Sequence, residues 1–402
     1  MKRRDFVGSV AATVAGGSGK AWGQQDQPLP PPAAAADERP ALVRTPLVLM
    51  APQADGFEGV WAVSRLSRGW LEWETDGLAG RAGVDAFGFV PQADGVLRAR
   101  VSGLKKGSSG RVRAHTVAVD DQETVVTDWK AFRILNPDAE TTHFAMWNDT
   151  HVHDDTIREL HARTPKTDFL LWNGDTCNDW TKPEWLVPTL LHPGGCDISA
   201  GRPLFINWGN HDVRGPHAFR MPSMIATPTG RPFHAFRSGP VAAICLHTGE
   251  DKPDDHPSFR GRVAFDVLRA EQTRWLSQTI ELPAFANAPY RLVFCHIPLR
   301  WKDERLPDYA KGGFDRFSAR SRDAWHNLLV KWKAQVVLSG HTHEHAWLPA
   351  DAAFPYGQLI GGGPRKQHAT ISEGRADPSR CVIQVSDLSG AILHEVTLTP
   401  VT

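Results

Sequence analysis

The chain has 402 residues, more than one hydrophobic core usually fills, so one large domain or two smaller ones are expected. Its 45 basic residues balance its 45 acidic residues, which leaves no long-range field to attract a polyanion. The composition therefore argues against nucleic acid as the main partner. Five cysteines cannot all pair within one chain, so the sequence does not describe a disulfide scaffold.

The N-terminal segment has the pattern of an export signal. Arg3 and Arg4 precede an uncharged, mildly apolar stretch over residues 7–19, which resembles a twin-arginine signal and is too weakly apolar to span a membrane. We predict a signal peptide over residues 1–23 and an exported protein, periplasmic or extracellular; an ordinary basic N-terminus is the alternative. The Pro/Ala-rich residues 24–41 predict a linker, and no later segment predicts a transmembrane anchor.

Residues 42–137 have the pattern of short strands separated by turns. Residues 71–74 and 97–101 alternate apolar with charged side chains, which places one face on a core and one in water. Residues 129–134 predict a closing strand. Repeated strands without a helical stretch predict a small all-β, fibronectin III-like sandwich domain.

After residue 137 the pattern changes to apolar strands alternating with helices. Two amphipathic helices are predicted over residues 267–282 and 319–332. The predicted buried strands cover residues 144–147, 169–172, 204–208, 241–246, 292–295 and 336–338. This alternation predicts a layered α/β domain over residues 138–402, with ligands gathered at the ends of the strands.

Five short polar motifs directly follow these predicted strands. They are Asp149-Thr150-His151, Gly174-Asp175, Gly209-Asn210-His211-Asp212, His296, and Gly340-His341-Thr342-His343. Carboxylates and imidazoles suit a divalent or trivalent first-row metal, and one carboxylate can bridge two ions. Each motif alone has an ordinary explanation, such as a turn, a structural histidine or a loose His-rich tract. The ordered set favours a two-metal site.

This ordered set resembles the calcineurin-like metallophosphoesterases, and the resemblance covers residue 143 to about residue 345. It implies the layered β-sandwich core of that family, flanked by helices, and a small phosphoester as substrate. It also implies two metal ions, with the choice among Mn, Fe, Zn and Ca left open. One ion would be held by Asp149, His151, Asp175 and His343, and the other by Asp175, Asn210, His296 and His341.

The same resemblance implies two catalytic residues, His211 and Asp212. His211 would stabilise developing charge or protonate the leaving oxygen, with Asp212 as the partner that orients it. The implied reaction is attack on phosphorus by a water that the metals activate. No nucleophile elbow, Walker loop or dinucleotide fingerprint is present. Monoesterase and diesterase activity stay open, as does an exported binding protein with a vestigial phosphatase core; the oligomeric state is not predicted.

The β-rich unit ahead of this core is similar to the layout of purple acid phosphatases. That subgroup has a tyrosine ligand for ferric iron three residues after the bridging aspartate, where this chain has Asn178. It usually has glycine where this chain has His151. Both differences argue against a tyrosinate-iron site.

Several further residues have a functional and an ordinary interpretation. Candidates for lining the pocket are His153, Asp154 and His345, and candidates for clamping a phosphate are Arg214 and Arg300. Trp180 and Trp301 are candidates for stacking on a substrate. Cys177 and Cys196 are close enough in sequence to form a disulfide, whereas Cys295 predicts a buried thiol.

Overall fold

Strands and helices were located in a computed structural model, which describes residues 39–85, 87–249, 251–302 and 318–402. The predicted signal peptide and nearly all of the predicted linker lie outside these residues. Ala41–Thr402 form one compact unit. Among the described residues, none of the helices has the length and hydrophobicity of a transmembrane span.

The described ranges contain 21 strands and six α-helices. The first nine strands are β1 (Val48–Gln53), β2 (Gly56–Ala62), β3 (Ser67–Thr75), β4 (Leu78–Ala82), β5 (Gln92–Ala93), β6 (Val96–Val101), β7 (Ser109–Ala118), β8 (Thr124–Val126) and β9 (Lys130–Arg133). They are followed by β10 (Thr142–Trp147), β11 (Phe169–Asn173), β12 (Leu204–Asn207), β13 (His234–Ser238), β14 (Val241–Leu246), β15 (Tyr290–Cys295), β16 (Val336–Ser339), β17 (Ala346–Leu348), β18 (Gly357–Ile360), β19 (Thr370–Ala376), β20 (Cys381–Asp387) and β21 (Ile392–Leu398). The helices are α1 (Asp154–Arg163), α2 (Leu186–Leu191), α3 (Met221–Met224), α4 (Phe265–Thr279), α5 (Pro283–Ala286) and α6 (Ala319–Lys331).

Two sheets enclose the N-terminal core. Strands β1, β2 and β6 lie in one sheet, and the described strands of the other have the order β4-β3-β7-β8, with β5 on β3 and β9 on β7. Trp61, Leu71 and Val112 are buried between them, and Trp61 Nε1 donates to Thr116 Oγ1 at 2.9 Å. The alternating runs predicted as strands lie within β3 and β6, so those two predictions are confirmed.

The central strands β10, β11 and β12 are parallel and buried on both faces. Their side chains alternate between two cores, because successive residues of a strand point to opposite faces. Phe144 and Met146 pack toward the second large sheet, whereas Ala145 and Trp147 pack on the side of α1 and α2. Helix α1 presents Ile157 to that core. All six predicted apolar strands are confirmed.

The second large sheet has the order β13-β14-β15-β16-β18-β17 among the described strands. Alternate residues of β14 face the first sheet and the helices α4 and α6: Cys245 belongs to the core between the sheets, and Ile244 to the core with Leu276 and Trp325. The result is four layers, helix, sheet, sheet and helix. The predicted layered α/β core is confirmed, and both predicted helices are present, with α4 starting two residues earlier and ending three residues earlier than predicted.

The N-terminal strands and the central strands share one sheet. Its described strands have the order β21-β20-β19-β10-β11-β12-β1-β2-β6, and Met50 of β1 pairs in parallel with Leu204 of β12. Lys130 crosses the same junction, with Nζ 2.6 Å from both carboxylate oxygens of Asp197. A boundary at residue 137 between two independent domains stays a prediction.

Candidate metal centre

Every motif singled out in the sequence lies just past the carboxyl end of a strand. Asp149 and His151 follow β10, Asp175 follows β11, and Asn210 and His211 follow β12 in the first sheet. His296 follows β15, and His341 and His343 follow β16 in the second. Since β10, β11 and β12 are parallel to one another, as are β15 and β16, these loops emerge at common sheet edges and bring the side chains together.

The backbone is strained where these side chains converge. Asp149, His151, Asp175, His341 and His343 have φ values of 50°, 43°, 50°, 72° and 58°, in the left-handed region that favours glycine. Each such residue costs about 1–3 kcal/mol and persists only where the surrounding structure imposes it. Strain concentrated at five polar residues indicates a functional site.

The first of two donor groups contains Asp149, His151, Asp175 and His343. One ligand atom from each residue lies within 4.8 Å of the others. His151 Nε2 is 3.1 Å from His343 Nε2 and 3.4 Å from Asp175 Oδ2. Asp149 Oδ1 is 3.6 Å from His343 Nε2. The geometry is that of donors converging on one ion.

The second donor group contains Asp175, His296 and His341, again with ligand atoms within 4.8 Å of one another. His296 Nε2 is 3.2 Å from Asp175 Oδ2. His341 Nδ1 is 2.7 Å from Asn210 Oδ1, which brings the amide oxygen into the same group. Asp175 belongs to both groups, and His341 and His343 belong to different ones.

Neighbouring carbonyl oxygens set which ring nitrogen faces the centre in two of the histidines, His151 and His296. The backbone oxygen of Asn173 accepts from His296 Nδ1 at 2.8 Å, and Asn178 Oδ1 accepts from His151 Nδ1 at 2.7 Å. In neutral rings these contacts leave the Nε2 lone pairs directed at the carboxylates, as metal ligation requires.

Two buried atoms of the cluster have no hydrogen-bond partner in the described structure, Asp149 Oδ1 and His296 Nε2. An unpaired buried carboxylate oxygen and imidazole nitrogen are costly unless they bind a cation. The donor set therefore fits divalent or trivalent metal ions.

The charges of the cluster perturb one another strongly. Burial, reinforced by the Asp175 carboxylate, raises the pKa of Asp149 to about 6. Burial opposes protonation of His296, but Asp175 and Asp149 outweigh it and raise its pKa to about 10. Burial lowers the pKa of His341 to about 3 and of His343 to about 4. Without metal, the positive charge of protonated His296 partly neutralises the carboxylates of Asp149 and Asp175.

His211 lies beside the first donor group, with its ring 4.8 Å from that of His151. Its Nδ1 is 2.7 Å from Asp179 Oδ1, so Asp179 is the residue that orients it. The prediction that Asp212 orients His211 is wrong. Asp212 is fully buried, and its carboxylate accepts hydrogen bonds from the Thr176 hydroxyl and the Gly209 amide. Asp212 thus braces the loops beneath His211.

Asn178 and Asp179 are two further functional candidates, which the sequence motifs did not identify. Both lie in the loop after Asp175, three and four residues beyond it. A carboxylate in the loop after Asp175 was the sequence feature that could have identified Asp179 as a candidate. Asn178 and His151, the two departures from the purple acid phosphatase pattern, contact each other.

The remaining candidates are mostly structural. Trp180 is buried in the core, so it cannot stack on a substrate, whereas the Trp301 ring packs edge-on at 5.7 Å from His341. Arg300 is buried and bonds the backbone oxygens of Pro349 and Tyr356, which excludes a phosphate clamp.

The contacts of Asp154 and His345 do not support the predicted role of these residues in lining the pocket. Asp154 accepts from the Gly194 amide, and His345 pairs with His394. His153 is partly buried and precedes α1.

The possible disulfide between Cys177 and Cys196 is absent, since all five cysteines are free, and Cys295 is the buried thiol that was predicted.

A cavity of about 820 Å³ lies away from this centre. Thr142, Asp168 and Pro203 line it, at the amino ends of β10, β11 and β12. The polar cluster is at the carboxyl ends of the same strands, and the cavity contains none of the predicted ligands. The chemistry of the side chains, rather than the size of the cavity, locates the candidate site.

Comparison with known sequences places the chain in a family. The sequence profile of the calcineurin-like phosphoesterases matches residues 142–345, half of the chain. The chain therefore belongs to the calcineurin-like phosphoesterase family, and it is a phosphoester hydrolase. No match was found among curated proteins.

A solved structure shares the fold. A purple acid phosphatase from yellow lupin (Lupinus luteus) seeds matches with a TM-score of 0.65 at 12% identity, over 88% of this chain and 75% of that one. A predicted phosphoesterase from Streptococcus pneumoniae matches with a TM-score of 0.32 at 12% identity, over 64% of this chain and 98% of that one. The first likeness supports a common architecture for the catalytic core and the β-rich unit before it.

Proposed function

We propose that the protein hydrolyses small phosphoesters at a binuclear metal centre. The observation that carries this proposal is the pair of donor groups that share Asp175. Asp149, His151 and His343 would complete one site, and Asn210, His296 and His341 the other. Bound metal ions supply Lewis-acid stabilisation of the phosphoryl oxygens and a water that is nucleophilic at neutral pH.

The protein's own residues hold and neutralise the reacting groups. Asp175 faces both sites and is itself fixed by the His211 amide, which donates to its Oδ1 at 2.8 Å. The His211 imidazole, held by Asp179, protonates the leaving oxygen or stabilises the charge that develops there. Asn178 fixes the His151 ring, so this position supports a histidine ligand and supplies no tyrosinate.

A panel of phosphomonoesters and phosphodiesters tests this function. Protein stripped of metal would be assayed after Mn, Fe, Zn or Ca is separately restored, alongside Asp175→Asn. We expect turnover of at least one ester with at least one metal, and its loss in the variant. Absence of turnover with all four metals would contradict the proposal. The panel also decides between monoester and diester preference.

We further propose export through the twin-arginine pathway, with residues 42–137 as a fibronectin III-like unit. Five free cysteines support export after folding in a reducing compartment, and the two sheets around Trp61 support a sandwich. Fractionation of cells that express the full chain or the Arg3→Lys, Arg4→Lys variant tests export. Equal export of both would contradict it.

A further inference from the structure

Three buried asparagines form a row across the central strands, next to the candidate metal ligands. Asn173 ends β11 and pairs in parallel with Asn207 at the end of β12, and Asn148 comes directly after β10. Asn148, the most exposed of the three, is 5% exposed. Because alternate residues of a strand face the same side, Asn173 and Asn207 point with Leu171 and Phe205 toward the second large sheet.

The side chain of Asn173 is hydrogen-bonded in three directions. Its Nδ2 donates to the Cys295 carbonyl at 2.9 Å and to Asn148 Oδ1 at 3.3 Å. Its Oδ1 accepts from Asn207 Nδ2 at 2.8 Å. An asparagine amide has two N–H donors and one carbonyl oxygen, so all of these groups are engaged. The amide therefore joins three strands of the first sheet to β15 of the second.

Each member of this network lies within three residues of a candidate metal ligand in the sequence. The pairs are Asn148 and Asp149, Asn173 and Asp175, Asn207 and Asn210, and Cys295 and His296. The Asn173 carbonyl also accepts from His296 Nδ1 at 2.8 Å. Side chain and backbone of Asn173 thus hold segments that carry ligands of both donor groups.

The loop that carries His341 packs against the same row. A Cβ at Gly340, which precedes His341, would lie 2.6 Å from the Asn148 Cβ, and a Cβ at Gly361 would lie 1.8 Å from Asn148 Nδ2. The backbone of this loop therefore rests directly on Asn148, and a shift of the row would displace it.

The row is not the arrangement that stability alone favours. In the described structure the buried Asn148 Nδ2 has no hydrogen-bond partner, and an unpaired buried amide costs free energy. Apolar side chains of similar shape would fill the same space without that cost. What linked amides add is a fixed distance between the strand ends, because each hydrogen bond restricts the position of its partner.

We propose that Asn173 is a positioning residue that fixes the spacing between Asp175 and His296, and thereby the occupancy of the second metal site. This inference rests on the proposed binuclear centre. Asp175 Oδ2 and His296 Nε2 are 3.2 Å apart and come from different sheets. Asn173 acts through the backbone of Cys295 and of its own strand. Loss of its amide leaves every ligand present but lets the two sheets separate at the second site.

Asn173→Leu tests the proposal, because it removes the three side-chain hydrogen bonds at nearly constant volume. The metal-stripped full chain would be titrated with Mn and followed by electron paramagnetic resonance, which distinguishes two spin-coupled Mn ions from separate ones. We expect the affinity for the more weakly held ion to fall by about tenfold or more, as for other residues that orient metal ligands. The signal of coupled ions should fall relative to that of single ions.

The control is Thr116→Val, which removes a buried hydrogen bond of 2.9 Å to Trp61 Nε1 in the N-terminal core. It should lower stability and leave Mn affinity and spin coupling unchanged. Asn207→Ala removes only the bond to Asn173 Oδ1 and should weaken the second ion less than Asn173→Leu does. This milder variant decides the matter if Asn173→Leu does not fold.

Unchanged Mn affinity and coupling in folded Asn173→Leu, or in Asn207→Ala where the former does not fold, would overturn the inference. An equal loss in Thr116→Val would overturn it as well, since the effect would then follow stability. In both cases the wild type would still bind two Mn ions, and the proposed function would stand. Absence of bound Mn in the wild type would contradict the binuclear centre itself.

Discussion

The His211 imidazole is held by the carboxylate of Asp179, with Nδ1 and Oδ1 2.7 Å apart. The two residues belong to loops that follow β12 and β11, and the Trp180 amide joins these loops by donating to the Arg214 carbonyl. A carboxylate in this position fixes the orientation of the ring. His211 is thereby held in one orientation beside the first donor group.

Asp179→Asn should lower kcat by about 10- to 100-fold, because it replaces the carboxylate that orients the imidazole proposed to act at the leaving oxygen. The loss should be larger for phenyl phosphate than for 4-nitrophenyl phosphate, whose leaving group needs less protonation. Asp138→Asn, at a side chain that is 69% exposed, is the control. An equal loss for both esters would argue against a proton-donor role of His211.

Gly209→Ala should reduce metal content and activity together. A Cβ at this position would lie 2.2 Å from Asp175 Oδ1 and 2.3 Å from the Asp175 amide nitrogen, so the shared carboxylate must move. Gly95→Ala is the matched control, since nothing lies within 4 Å of the added atom. Elemental analysis of both purified variants checks the prediction, and full metal content in Gly209→Ala would contradict it.

Metal binding to stripped protein should release protons and strengthen with rising pH. The pKa of His296 is raised to about 10, so this ring is protonated at pH 8 and must lose its proton to bind a metal. His341 and His343, with pKa values of about 3 and 4, are already neutral and release none. Calorimetry at pH 8 in buffers of different ionisation enthalpy measures the release. We expect release of about one proton or more, with His296 as one source and His151, whose pKa its hydrogen bond and ion pair with Asp175 raise against the effect of burial, as another; release of none would contradict the assigned charge state.

Lys130→Ala should destabilise the junction between the N-terminal strands and the central sheet. Lys130 Nζ bonds Asp197 and the Leu47 carbonyl, and the two charged side chains are 13% and 28% exposed. Removing the lysine leaves a partly buried carboxylate without its counter-ion, at a cost of about 2 kcal/mol in free energy of unfolding after allowance for solvent. Urea unfolding measures the cost. Lys106→Ala, at an exposed pair, should change stability by less than about 0.5 kcal/mol.

The sequence predicted the parts of the site that are encoded locally. Asp149, Asp175 and His296 each follow a short apolar run, and such runs form buried parallel strands whose ends meet. Motif and strand are contiguous in the chain, so no knowledge of tertiary pairing was needed. This is why the donor groups could be anticipated.

Two features that depend on contacts between distant parts of the chain were not predicted from the sequence. Asp212 is adjacent to His211 in sequence, but its carboxylate turns into the core toward Thr176, and Asp179 reaches the imidazole from another loop. The pairing of Met50 with Leu204, which joins the N-terminal strands to the central sheet, likewise spans a separation that no local pattern encodes. Asp212 was predicted as the partner of His211 because the two residues are adjacent in sequence, and that prediction was wrong.

The central claim is that Asp175 serves two metal sites at once. Metal content per chain, measured by elemental analysis after stripping and reconstitution with Mn, tests it most directly in the wild type and in Asp175→Asn, with Asp138→Asn as the control. We predict about two ions per chain in the wild type and the control, and loss of both ions in Asp175→Asn. One ion or none in the wild type, or two retained in Asp175→Asn, would contradict it.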